Sequence, residues 1–125
     1  MPDSVTKAVR HLTEMGVGRL EDFEVLLLMS RQPEREWDAT RLVAGSTITL
    51  AAAAEALGRL AKRGIVDLVS PDPPSYRLGA RIDVEPLVQL RKDHERDRTL
   101  VVNTFFTCNL DSLRSFASAF RIRKS

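Results

Sequence analysis

Residues 36–66 read EWDATRLVAGSTITLAAAAEALGRLAKRGIV, and this stretch carries the signals for two helices joined by a tight turn. Asp38 can cap a short first helix that carries Leu42 and Val43, because its carboxylate can accept hydrogen bonds from the free N–H groups of the first turn. Gly45-Ser46-Thr47 is a typical turn sequence. The first half of the stretch therefore predicts a short helix followed by a turn.

The second half of the stretch predicts a longer helix over residues 50–63. Thr49 can cap it, and Ala53, Leu57 and Leu60 fall on one face at positions i, i+4 and i+7. Gly64 occupies the position where a helix most often ends. Residues 36–64 therefore predict a helix-turn-helix unit.

Two short strands are predicted directly after this unit. The apolar residues between Ile65 and Val69 favour the first strand, and Tyr76–Leu78 favour the second. The sequence Pro71-Asp72-Pro73-Pro74-Ser75 between them predicts a loop. Helix, turn, helix and hairpin follow one another in the order of a winged helix-turn-helix.

Two helices are predicted before this unit. Val5, Val9 and Leu12 recur at helical spacing after a capping residue, Asp3 or Ser4, and Gly16 and Gly18 end the pattern. Residues 20–32 are apolar on nearly every side, which predicts a buried helix that ends before Pro33.

The C-terminal part predicts further helices. Asp83 can cap a helix that begins at Val84, and the charged residues 91–98 are typical of a solvated stretch between two apolar regions. Apolar residues at three- and four-residue spacing from Leu110 to Phe120 predict an amphipathic helix.

The expected fold is mainly α with a small β-hairpin (α+β). A winged-helix domain with its N-terminal helix covers 1–80, and a helical dimerisation or partner-binding tail covers 81–125.

The segments Trp37–Val43 and Ala56–Val66 resemble bacterial winged-helix transcription regulators. In that family a tryptophan or similar residue starts a short strand before the second helix, and a Gly-Ile-Val ending leads from the recognition helix into the wing. The resemblance covers roughly residues 20–80. It implies DNA binding through the helix at 50–63. The segment 110–123 is similar to the endings of small bacterial winged-helix proteins. This similarity carries no information about activity.

Two functions remain open on the sequence. The first is a winged-helix DNA-binding transcriptional regulator, with candidate DNA contacts at Arg41, Thr49, Arg59, Lys62, Arg63 and Arg77. The second is a winged-helix interaction module that docks on a protein partner without reading bases. Base edges are read by side chains with strong donors and acceptors, and residues 50–59 offer only Arg59 as a good donor. The fold-level resemblance makes the homodimeric regulator the leading expectation, whereas the composition of residues 50–59 favours the interaction module as the alternative.

The tail predicts an interface with another chain. The candidate interface residues are Val101, Phe105, Phe106, Leu113, Phe116 and Phe120. Such an amphipathic tail needs an apolar surface to cover it. It can pair with a second copy of the chain, which gives a symmetric homodimer. It can also fold back on its own domain as additional core.

The overall composition excludes some classes of protein. The 125 residues are 43% hydrophobic and 29% charged, with a formal net charge of +2, which is typical of a globular chain. Cys108 is the only cysteine and His11 and His94 are the only histidines, so we expect no disulfide, metal site, cofactor or enzyme activity. No apolar segment is long enough for a signal peptide or a membrane span, so a cytoplasmic location is expected.

Overall fold

The computed structural model describes residues 2–44 and 46–110, which form six helical segments and one two-stranded antiparallel sheet. The elements in chain order are α1 (Pro2–Glu14), α2 (Leu20–Met29), α3 (Ala39–Val43), α4 (Leu50–Lys62), β1 (Val66–Pro71), β2 (Pro74–Leu78) and α5 (Val84–Arg96). A further helix, α6, covers 98–110, up to the end of the described residues. The predicted fold class, mainly helical with a small hairpin, is confirmed at this level.

The first two helices bury the faces that the sequence predicts. Val5, Val9 and Leu12 lie in the core along α1. Helix α2 is buried on most sides, but it ends at Met29 rather than at Gln32. Ser30 follows as the C-cap, its hydroxyl donates to the carbonyl oxygen of Leu27, and residues 30–35 continue mostly as turns.

Both predicted caps of the helix-turn-helix stretch are present. A side-chain oxygen of Asp38 accepts a hydrogen bond from the backbone N–H of Arg41 at 2.7 Å, and Thr49 Oγ1 accepts one from Ala52 at 3.1 Å. Gly64 follows the C-cap of α4 with φ of 73°, a left-handed conformation that favours glycine. The predicted inner face of α4, formed by Ala53, Leu57 and Leu60, is buried together with Ala56 against α2 and α3.

The hairpin has a shorter turn than the sequence suggests. Pro71 pairs with Pro74 at the end of the ladder, so only Asp72 and Pro73 form the turn, and the predicted loop of residues 71–75 is wrong in length. Proline is compatible with these positions because they lie at the end of the ladder, next to the turn. Trp37 forms an isolated antiparallel bridge to Tyr76 through two backbone hydrogen bonds of 2.7 Å.

The charged stretch at 91–98 contains a helix break. Helix α5 ends at Arg96, and a side-chain oxygen of Asp97 accepts a hydrogen bond from the backbone N–H of Leu100, which caps α6. The stretch is also less solvated than predicted, because Asp93 is buried. At the other end of α5, Asp83 occupies the N-cap position, but its side chain makes no capping hydrogen bond.

One hydrophobic core includes residues from both predicted domains. The rings of Phe23 in α2 and Phe105 in α6 stack at 4.8 Å, and Leu87, Leu90 and Val101 belong to the same cluster. Residues 81–110 therefore share their core with residues 2–80. Within the described ranges, none of the helices is both long enough and apolar enough to cross a bilayer.

Candidate functional site on α4 and the hairpin

The solvent-exposed side of α4 is formed mainly by small and apolar residues. This surface, the outward face of α4, consists of Leu50, Ala51, Ala54, Glu55, Gly58 and Lys62. Its single basic side chain, Lys62, lies in the last turn of the helix, and no acidic residue lies in the first turn. The outward face therefore presents methyl groups and bare backbone over most of its length.

Arg59, the predicted base-reading residue, is bound to Asp22 of α2. Its Nε donates to both carboxylate oxygens at 3.1 Å, and a second guanidinium nitrogen donates to one of them at 2.7 Å. Asp22 is only 2% exposed, so the pair joins α4 to a buried carboxylate. These hydrogen bonds raise the pKa of Arg59, with smaller contributions from Glu21 and Glu55. The guanidinium of Arg59 therefore lies against α2.

Three other candidate DNA contacts also have partners within the chain. Arg41 donates from its guanidinium to the carbonyl oxygen of Glu36 at 3.1 Å, and the Thr49 hydroxyl caps α4. A guanidinium nitrogen of Arg77 lies 3.8 Å from the carboxylate of Glu36. Glu36 thus lowers the positive charge at the base of the hairpin.

Basic side chains do gather at the C-terminal end of α4. Lys62 and Arg63 are exposed there, and Arg81, which no sequence motif marks, donates to the carbonyl oxygen of Arg63 at 3.0 Å. The side chain of Arg63 passes so close to Gly16 that a Cβ there would lie 2.7 Å from its Nε. Cations at this end stabilise the helix dipole, so their position has a structural reason independent of any ligand.

The hairpin exposes two consecutive apolar side chains. Leu68 is 53% exposed and Val69 is 42% exposed. Successive residues of a regular strand point to opposite faces, but the ladder shifts between Leu68 and Ser70. Asp67, one residue earlier in the regular part of the ladder, is exposed as well, so both faces of the hairpin meet solvent at this point. The sequence pattern gave no sign of this exposure, because Leu68 and Val69 resemble core residues of a strand that begins at Ile65.

Helix α6 separates the predicted interface residues onto two sides. Val101 and Phe105 are buried in the core of their own chain, whereas Phe106 is 49% exposed with its ring edge against Phe105. Leu100 and Leu110 are also exposed. The other three predicted interface residues, Leu113, Phe116 and Phe120, lie outside the described residues.

The histidines and the cysteine do not form a cluster within the described part of the chain. No group of three or more His, Cys, Asp or Glu side chains there is arranged to hold a metal ion. Cys108 is buried.

Comparisons of the chain with protein-family models, with curated proteins and with solved structures find no match in any of the three. Any functional assignment therefore depends on the geometry and charge of the chain's own residues.

Proposed function

We propose that the protein is a winged-helix interaction module that docks on a protein partner through the outward face of α4 and the exposed hairpin residues. The order of α2, α3, α4 and the hairpin supports the winged-helix assignment. So does the bridge from Trp37 to Tyr76, because it adds a third short extended segment to the hairpin before α3. A winged helix can bind nucleic acid or protein, so the choice depends on the exposed residues.

The ion pair between Arg59 and Asp22 is the observation that carries this proposal. The strongest readout of base edges in the major groove comes from long side chains such as arginine, lysine, asparagine or glutamine that are free to extend from the helix. Arg59 would have to give up three hydrogen bonds to a buried carboxylate before it could reach a base. Leaving Asp22 buried without a partner carries a large free-energy penalty.

The outward face of α4 has properties that suit a protein surface. Leu50 is 55% exposed at its start, and the hairpin adds the apolar side chains of Leu68 and Val69. Among residues 2–44 and 46–110, no atom of another element lies within 4 Å of the position that a Cβ would take at Gly58. Packing among these residues therefore does not require glycine there, although glycine in a helix interior is destabilising. A partner that approaches the helix backbone closely would require it.

Affinity capture with matched variants tests this proposal. The wild-type chain, Ala54→Arg and Ala80→Arg serve as baits in a nuclease-treated lysate of the source cells, since Ala54 lies on the outward face and Ala80 is exposed elsewhere. We expect the wild type and Ala80→Arg to retain the same partner protein and Ala54→Arg to lose it. Equal retention by all three baits would contradict docking through α4.

A DNA-binding regulator is the second candidate function. The cluster of Lys62, Arg63 and Arg81 favours it, because these side chains could contact phosphates even though they read no base. The two candidates respond in opposite ways to Ala54→Arg. An added guanidinium blocks an apolar protein interface but strengthens binding to a polyanion.

We propose in addition that the protein forms a homodimer through the exposed side of α6. Residues 99–110 contain no charged side chain, and Leu100, Phe106 and Leu110 are exposed there. An uncharged surface with exposed apolar side chains can pair with its own copy around a two-fold axis without repulsion between like charges.

A further inference from the structure

A cleft of about 570 Å³ lies between α2, α5 and the turn that leads into α4. Its polar walls are formed by Arg31, Arg91, Arg98, His94, Glu24 and Glu95. The turn contributes residues 46–48. The volume is within the usual range of small-molecule sites, which is about 300–1,000 Å³.

The cleft carries more positive than negative charge. Glu95 accepts a hydrogen bond from Arg91 at 3.2 Å, and the same carboxylate oxygen is 3.9 Å from Arg31. Glu24 is 3.2 Å from Arg98. Three guanidinium groups therefore share two carboxylates. Among the described residues, the guanidinium of Arg31 makes this one long ion pair and no hydrogen bond.

Arg91 is the most firmly positioned of the three arginines. Its Nε donates to the hydroxyl of Ser30, which is buried, and its side chain is 19% exposed. An arginine that is held in this way is already ordered before a ligand binds. Binding at the cleft therefore costs little additional side-chain entropy. Arg31, half-exposed and weakly paired, can close on a ligand from the other side.

Further donors lie on the opposite wall. The backbone N–H of Ile48 donates to Ser46 Oγ at 3.0 Å, so the hydroxyl proton of Ser46 points elsewhere and can be donated to a ligand. On the wall formed by α5, Nε2 of His94 is buried without a hydrogen-bond partner among the described residues. The same nitrogen lies 3.8 Å from the carboxylate of Glu24, which also lines the cleft.

We propose that this cleft binds a small molecule that carries a carboxylate or phosphate group, held by Arg31, Arg91 and the hydroxyl of Ser46. Paired guanidinium groups and a hydroxyl are the donors that proteins use for such anions. Because residue 48 directly precedes Thr49, the cap of α4, a bound ligand contacts the segment that positions α4. This site is separate from the outward face of α4, so the proposal of a ligand here does not depend on the proposed function.

Amide-shift titration by NMR on the full chain tests the site. The two probes are inorganic phosphate and citrate, each added at constant ionic strength against sodium chloride. We expect saturable shifts at residues 46–48 and in α5 around His94 for at least one probe. Saturation by phosphate alone identifies a phosphorylated ligand, and saturation by citrate alone identifies a carboxylic acid.

Two variants make the test specific. Arg31→Gln removes a cleft cation, whereas Arg35→Gln removes an exposed cation of the same segment that does not line the cleft. We expect Arg31→Gln to weaken binding by about tenfold or more, which is the usual effect of losing a charge-assisted hydrogen bond. Arg35→Gln should bind like the wild type, and Arg31→Gln should melt like it.

Three results would overturn the proposal. The first is that neither anion produces saturable shifts. The second is that Arg31→Gln and Arg35→Gln weaken binding equally, which would indicate general charge screening. The third is that the shifts centre on Lys62 and Arg63 instead of the cleft.

Discussion

Arg59 of α4 and Asp22 of α2, 37 residues apart in the sequence, are joined by three hydrogen bonds. Asp22 is nearly inaccessible to solvent, and the Arg59 side chain is 23% exposed. The pair has two consequences. It fixes α4 against α2, and it holds the best donor of α4 away from the outward face.

Arg59→Ala should lower the free energy of unfolding by about 1–3 kcal/mol, because it leaves the buried Asp22 carboxylate without its partner. The upper end of the range for buried pairs is not expected, since the guanidinium retains some contact with water. Urea unfolding followed by circular dichroism measures the change.

Glu55→Ala is the matched control for this prediction. Glu55 is highly exposed and lies 3.9 Å from Arg59, so its removal should change the free energy of unfolding by less than about 0.5 kcal/mol. If Arg59→Ala were as mild as this control, the pair with Asp22 would not be formed in solution.

Gly58→Ala should stabilise the protein by about 0.5–1 kcal/mol, because alanine favours a helix and the added methyl group clashes with no atom of the described residues. The same variant should capture the proposed partner less well than the wild type, since the methyl group separates the two surfaces. Thermal melting and affinity capture measure the two effects. Partner capture that is unchanged while stability rises would mean that the partner does not contact Gly58.

Stability should fall as the pH drops from about 7 to about 5.5, in part because of His94. Burial lowers the pKa of His94 below its ordinary value, and Arg98 lowers it further, whereas Glu24 and Glu95 oppose the shift. In this pH range the unfolded chain binds more protons at His94 than the folded chain does, so protonation favours unfolding. The contribution is at most about 1.4 kcal/mol per pH unit.

Histidine variants separate this contribution from that of other groups. His94→Gln should flatten the dependence of the unfolding free energy on pH in this window, whereas His11→Gln, at an exposed position, should leave it unchanged. Equal slopes in both variants would show that His94 is not the group responsible.

Phe106→Ser should convert a dimer to monomers in light scattering without a large loss of stability, because the Phe106 ring is half-exposed in the chain. Leu68→Ser is the control, since Leu68 is similarly exposed but belongs to the hairpin. A wild-type chain that is monomeric at tens of micromolar, or a dimer that Phe106→Ser leaves intact, would contradict pairing through α6.

Local signals in the sequence were sufficient for the helix-turn-helix stretch. Asp38, Thr49 and Gly64 act through backbone groups within three or four residues, and the inner face of α4 follows from helical periodicity. The same reasoning overestimated the length of the hairpin loop, because Pro71 and Pro74 can pair at the end of a two-stranded ladder.

Contacts between distant segments could not be predicted in the same way. The partner of Arg59 lies in another helix, and Asp22 looked like an ordinary acidic residue of a first helical turn. The aromatic residues at 105 and 106 looked equivalent, yet Phe105 stacks on Phe23 while Phe106 is exposed. Their separation depends on how α6 is rotated on the core, which only tertiary packing determines.

The most direct test of the central claim is fluorescence anisotropy with labelled DNA duplexes, of random and of promoter sequence, at several salt concentrations. A protein with 6–10 phosphate contacts loses about 10³–10⁵-fold in affinity between about 50 and 200 mM salt. We predict a weak affinity that is equal for all duplexes and that depends only slightly on salt concentration. Lys62→Ala should lower the affinity for all duplexes by the same factor. Tight, sequence-selective binding with a steep salt slope would contradict the account, because Arg59 and the outward face of α4 would then have to read bases.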